Sequence, residues 1–327
     1  MSSLMALHLT FGSGIVSLAG SPLNLTTLGQ QLENGIALGA IYALIALGYT
    51  MVYGIIELIN FAHGDVFMWG SFAAFAVVLA FKIPEQVSGF SLVLVVAGLL
   101  ILCMVVSAVI NVVIERLAYK PLFNAPRLSL LISAIGASFI LEDIAKLWRG
   151  PSPLRFPPIF PQVNVHIGGV LVPTLDIFIF VLSVLLMIAL NRFIKLTRVG
   201  RAMRATAQDR EAASLMGVNI DATIMITFLI GGALAGAAGL VYSMKVQQVW
   251  YFTGFEVGLK AFTAAVLGGI GDIQGAVLGG FLIGLVEAFA AQFFGIEWVD
   301  AIVFSVLVLV LVFRPTGLVG VASADKA

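Results

Sequence analysis

The feature that most limits what this chain can fold into is a repeated one. Long apolar runs with almost no charge follow one another from residue 35 to residue 313. A helix that spans a bilayer needs about 20 predominantly apolar residues. Runs that meet or approach this length are 35–58, 65–81, 90–114, 128–148, 175–195, 222–244, 257–270, 276–294 and 299–313. The run 257–270 is short, which suits half of a broken or re-entrant helix. Composition agrees: 61% of residues are hydrophobic and 10% charged, against roughly 45–50% and about 25% in soluble domains. The expected fold is therefore an all-α polytopic membrane protein, a bundle of about eight to nine transmembrane segments with a weak internal repeat and broken helices. Residues 1–31 read as an extramembrane or interfacial lead-in, 32–320 as the transmembrane domain, and 321–327 as a tail.

Several function classes drop out at once. Formal net charge is zero, so nothing points to nucleic acid. Cys103 is the single cysteine, and His8, His63 and His166 are scattered, so neither a disulfide framework nor a metal centre is expected. No G-x-x-x-x-G-K-[ST] occurs; a nucleotide that drives this chain must be bound by a partner.

Short loops rich in Lys and Arg stay on the cytoplasmic side. Arg192, Lys195, Arg198, Arg201, Arg204 and Arg210 face only Asp209 and Glu211 in one such loop, and Arg116, Lys120 and Arg127 face Glu115 in another. Both are expected inside. The segment 150–174 between them then faces the other way, and its prolines (Pro151, Pro153, Pro157, Pro158, Pro161, Pro173) suit an ordered external loop without regular structure.

Two glycine-containing breaks interrupt the apolar pattern. One is Asn60-Phe61-Ala62-His63-Gly64; the other runs Gly268-Gly269-Ile270-Gly271-Asp272-Ile273-Gln274-Gly275. Each leads into Gly-x-Val and a new helix, and paired breaks of this kind point to a transporter's substrate path. Full crossings put the first break near the cytoplasmic side, which favours a gate; two plain hairpin turns are an even alternative. Small-residue spacings (Gly35/Gly39, Gly232/Gly236, Gly275/Gly279, Gly280/Gly284) predict close helix contacts.

Charge inside the spans is sparse, with Glu287 the deepest in its run. An ion-coupled carrier would be expected to show more. An intramembrane hydrolase would need a base beside Ser138, and no such arrangement is legible, so Ser138 reads as a helix-packing residue.

The most specific stretch is the water-compatible loop 196–217. Asp209 can cap a short helix that Gly217 ends, with Ala212, Leu215 and Met216 on one face at i, i+3, i+4. A loop that only retains charge on one side has no need of a capped helix with a small apolar patch. A docking element is the better reading, with Arg201, Arg204 and Arg210 as nearby charge.

Glu211-Ala212-Ala213-Ser214-Leu215-Met216-Gly217 resembles the EAA-x-x-x-G signature of bacterial ABC-importer permeases. Tyr42-Ala43-Leu44, Tyr53-Gly54, Ile59 to Gly64, Gly200-Arg201-Ala202, Phe262 to Gly269 and Arg314-Pro315-Thr316-Gly317-Leu318 are similar to the Liv branched-chain amino acid permeases, most of all the LivH-like subunit. The resemblance covers roughly residues 32–320. It implies a multi-pass permease subunit of the bacterial inner membrane, with no catalytic residue and no cofactor of its own. It also implies a LivM-like second permease, two ABC ATPase subunits holding ATP and Mg²⁺, and a periplasmic substrate-binding protein. The implied cargo is leucine, isoleucine and valine; related members carry urea, short amides or other amino acids. The ATPase-coupling residues would be Arg201, Arg204, Arg210, Glu211, Ala212, Ala213, Leu215 and Gly217. The pathway or gate would involve Asn60, Phe61, His63, Gly64, Gly268, Gly269, Gly271, Asp272, Gln274 and Gly275.

Overall fold

A computed structural model describes residues 24–319, apart from residue 124. The expectations for residues 1–23 and 320–327 lie outside the described residues. The principal helices are α1 (Leu25–Ile56), α2 (His63–Ala80), α3 (Gly89–Ile114), α4 (Arg127–Arg149), α5 (Thr174–Leu196), α6 (Arg198–Gln208), α7 (Arg210–Leu215), α8 (Ile220–Val246), α9 (Thr253–Gly268), α10 (Ile273–Phe294) and α11 (Val299–Phe313). Among the described residues, eight helices are long and apolar enough to cross a membrane. α9 is not one of them. Its 16 residues cover roughly 24 Å, short of a hydrocarbon core of about 30 Å.

Which helices sit centrally follows from their side chains. α1 and α8 are apolar on all sides and rich in Gly and Ala, so neighbours can approach from every direction; both are largely buried. α3 carries Val93, Leu94, Ile101, Val105 and Val109 outward, an apolar surface that suits a bilayer. Along the α1–α10 contact the helices nearly touch backbones: a Cβ added at Gly39 would lie 2.7 Å from Phe281 Cα, and one at Gly280 2.5 Å from Ala43 Cα. Any larger residue there would force the pair apart.

The two basic loops lie at one end of the bundle. Lys120 pairs with Asp221 (2.7 Å) and Arg127 with Glu57 (3.1 Å) at this end. The proline-rich segment closes the opposite end. There the structure departs from the expectation of an irregular loop. β1 (Leu154–Arg155) pairs antiparallel with β4 (Gln248–Val249), and β2 (Asn164–Ile167) with β3 (Val170–Pro173). Gly168 and Gly169, both at positive φ (58° and 88°), supply the tight hairpin turn. The side-chain amide of Gln30 then bonds both the N–H and the C=O of Leu171 (3.1 and 2.9 Å), tying the hairpin to the start of α1. That helix starts at Leu25, earlier than the lead-in boundary expected at residue 31.

Candidate functional site

The loop expected to dock a partner folds as two short helices at the basic end. Thr197 caps α6 by accepting from Gly200 N (3.0 Å), and Asp209 caps α7 by accepting from Ala212 N (3.0 Å). Gly217, at φ +85°, ends the turn, with Val218 N reaching back to Ala213 O (3.0 Å). Only Ala213 of α7 is buried; Ala212, Ser214, Leu215 and Met216 are exposed, the last two at 89% and 85%. The apolar face expected from the spacing is thus present and uncovered.

The arginines divide. Arg201 projects to the surface. Arg210 instead donates through Nη2 (2.7 Å) and Nε (3.3 Å) to Ile55 O, at the carboxyl end of α1. Arg204 donates through Nη1 to Ile194 O, near the carboxyl end of α5. A guanidinium suits these positions, because the last carbonyls of a helix lack intrahelical donors and carry partial negative charge. Two of the three cations thus bind the docking element to its own bundle.

The first break is held by side chains. The chain leaves α1 at the basic end and climbs back into the bundle, so that the His63 ring lies against the backbone of Gly48, two turns before α1 ends. Asn60 Nδ2 donates to Asn111 Oδ1 (3.1 Å), Asn111 Nδ2 to Phe228 O (2.6 Å), and Tyr119 OH to Asn60 Oδ1 and Ile59 O (both 3.2 Å). Tyr119 arrives there because α3 continues as a π-helical turn (Glu115–Tyr119). Asn60 and His63 are buried, so the break lies within the basic half of the bundle rather than at its surface.

The second break is held by backbone. Gly269 and Gly271 adopt φ +114° and +96°, and Asp272 caps α10 by accepting from Gly275 N (2.6 Å). Gly268 and Gly275 meet with no room for a side chain on either. The segment after α11 then seals the turn: Leu318 N donates to Leu267 O (2.9 Å) and Val319 N to Gly268 O (3.0 Å). Gly317 fits against Gly269.

α9 joins the two. Its Gly258 packs on Gly64, where an added Cβ would lie 2.8 Å from Gly64 Cα, and Phe262 meets Phe61 (5.9 Å between rings). Its last residue, Gly268, opens the second break. The docking element reaches both as well. Arg210 grips Ile55, five residues before the first break begins at Asn60. Met203, Arg204 and Ala207 of α6 share a cavity with Gly271, Asp272 and Gln274 of the second.

Several partners left little local trace in the sequence. Glu287 accepts from Tyr42 OH (2.6 Å) and pairs with Lys260 (3.0 Å), which also pairs with Asp300 (3.0 Å). Lys245 pairs with Asp176 (2.8 Å). Ser138 donates to Asp65 and has no histidine partner in that bond, as suits a packing residue. Asn60 of this network was singled out in the sequence; Asn111, an amide inside a largely apolar run, is the signal that could have supplied its partner.

A family model described as "Branched-chain amino acid transport system / permease component" matches residues 31–311. The chain is 44% identical over 301 residues to the high-affinity branched-chain amino acid transport system permease protein BraD of Pseudomonas aeruginosa, covering 91% of this chain and 97% of that protein. It is 42% identical over 302 residues to the LivH permease protein of Escherichia coli, with the same coverage. A probable LivH of Methanocaldococcus jannaschii is 29% identical over 317 residues, 91% of this chain and 95% of the other. No solved structure matches the chain.

Proposed function

From a chain that belongs to the branched-chain amino acid transport permease family, we propose a multi-pass inner-membrane subunit that forms half of an importer's path for leucine, isoleucine and valine. Its basic end faces the cytoplasm, in keeping with the Lys and Arg excess of its loops. ATP and Mg²⁺ are bound by two partner ABC ATPases, a LivM-like permease completes the path, and a periplasmic binding protein delivers the cargo at the proline-rich end.

The observation that carries this reading is α7: a capped, anchored turn with Leu215 and Met216 almost fully exposed at the basic end of a membrane bundle. Such a turn fits a groove on an ATPase subunit. When the ATPases close, the force on α7 passes through Arg210 to the end of α1 and through Arg204 to the end of α5. α6 shifts with it against the second break, which α9 links to the first. Coupling requires that α7 sit differently on the open and closed ATPase pair, since a contact of equal strength in both shifts nothing.

Glu211→Lys and Gly217→Pro test the assignment. Either is expected to abolish ATP-driven leucine import into proteoliposomes while the chain remains inserted and monodisperse. Import at the native rate in both variants would remove α7 from the coupling path.

A further inference from the structure

The cavity that α6 shares with the second break has a volume of about 370 Å³. This lies in the range of roughly 300–1,000 Å³ typical of small-molecule sites. Met51 and Ile194 give part of its wall an apolar character, and six polar side chains line the same space: Thr50, Asn191, Lys195, Arg204, Asp272 and Gln274. Three of these have bonding capacity that the protein leaves unused. Thr50 is 1% exposed, yet its hydroxyl has no hydrogen-bond partner, a state that costs free energy when buried. Lys195 is exposed and forms no ion pair among the described residues, so its ammonium is free to meet a ligand. Asp272 uses Oδ1 to cap α10, which leaves Oδ2.

A ligand that satisfies all three carries a carboxylate for Lys195, an ammonium for Asp272 and an aliphatic remainder for the Met51–Ile194 wall. An inorganic anion would satisfy the cations but face Asp272 and the apolar wall; a fatty acid would lack the ammonium. We propose that this cavity is a binding station for a small aliphatic α-amino acid, entered from the basic end of the bundle. The station deepens the functional reading above and rests on its amino acid cargo. It would hold the cargo at the cytoplasmic exit, between the element that ATPases move and the break that this motion loosens.

Equilibrium binding of radiolabelled L-leucine to the assembled transporter in nanodiscs tests the station. Saturable binding is expected in the native complex. Affinity should fall about tenfold in Lys195→Met, the size of one lost charge-assisted bond, and a few-fold in the near-isosteric Thr50→Val. Leucinamide, isovalerate and inorganic phosphate should fail to displace leucine. Equal affinity in all three proteins, or displacement by phosphate or isovalerate, would overturn the station. ATP-driven leucine import measured on the same preparations keeps the two readings apart. Import with unaltered binding in both variants removes the station alone, whereas a native complex that imports no leucine removes the cargo reading beneath it.

Discussion

At residues 57–62 the chain turns back into the bundle on side-chain hydrogen bonds; at 269–272 it turns on main-chain bonds and a single aspartate cap. The first break borrows its bonds from α3, the π-helical turn and α8, so Asn60, Asn111, Tyr119 and the Phe228 carbonyl hold four segments at fixed spacing. The second has a capping carboxylate, glycines at positive φ and a strip of main chain laid over it from beyond α11. The first has Asn60, Ala62 and His63 buried. The second borders a cavity and the docking element. A turn fixed by several side chains from separate helices moves only if those helices move. A turn closed by main-chain bonds to one terminal strip can open by peeling that strip away. On the function proposed above, this difference would make the first break part of the frame and the second the moving part.

The largest effect should come from the place where backbones meet. Gly268→Val puts a branched side chain into the Gly275 backbone, and no monodisperse protein is expected after extraction. At Gly271, only a few residues on, nothing lies within 4 Å of an added Cβ and the obstacle is φ alone. Gly271→Ala should therefore fold, with a stability loss of about 1–2 kcal/mol. Similar behaviour of the two variants in size-exclusion profiles would break the distinction between contact and conformation.

The next effect belongs to the frame. Asn111→Leu strands Asn60 Nδ2 and leaves the Phe228 carbonyl with one partner fewer, at about 1–3 kcal/mol for each buried group left unpaired. The apparent melting midpoint should drop clearly. Adding Asn60→Leu should cost less than it does alone, because its partner is already gone. Additive losses would mean that the two amides do not act as one unit.

The smallest effect tests the seal. Leu318→Pro deletes the single N–H donated to Leu267 O, worth about 1 kcal/mol. Hydrogen exchange should rise at 265–272 and stay unchanged at 59–66. Equal acceleration in both regions would erase the contrast between frame and moving part.

How much of this the sequence disclosed depended on distance along the chain. The Asp209 cap and the Gly217 stop are local events within one helical turn, so their residues carry the signal, and both stand in the structure as expected. The spans 65–81, 90–114 and 276–294 fall close to α2, α3 and α10, because lipid selects composition over the whole run. The network at Asn60 joins residues 51 to 117 positions apart, and no local pattern encodes such a pairing. The arginines were legible as charge but not as ligands of Ile55 and Ile194, since a backbone carbonyl leaves no mark in a sequence. Arg314-Pro315-Thr316-Gly317-Leu318 was visible as a motif without a purpose. The structure supplies one in the contact of Gly317 with the second break.

The ion network around Lys260 has a consequence for how the chain is made. Until its partners are made, Lys260 has only Glu256 of its own short helix beside it, and a central charge costs about 2.5–3.5 kcal/mol to insert. Its partners Glu287 and Asp300 lie on α10 and at the start of α11, 27 and 40 residues later in synthesis. The pairings that join α9 to α10 and α11 therefore form only after synthesis has passed the turn at 269–272.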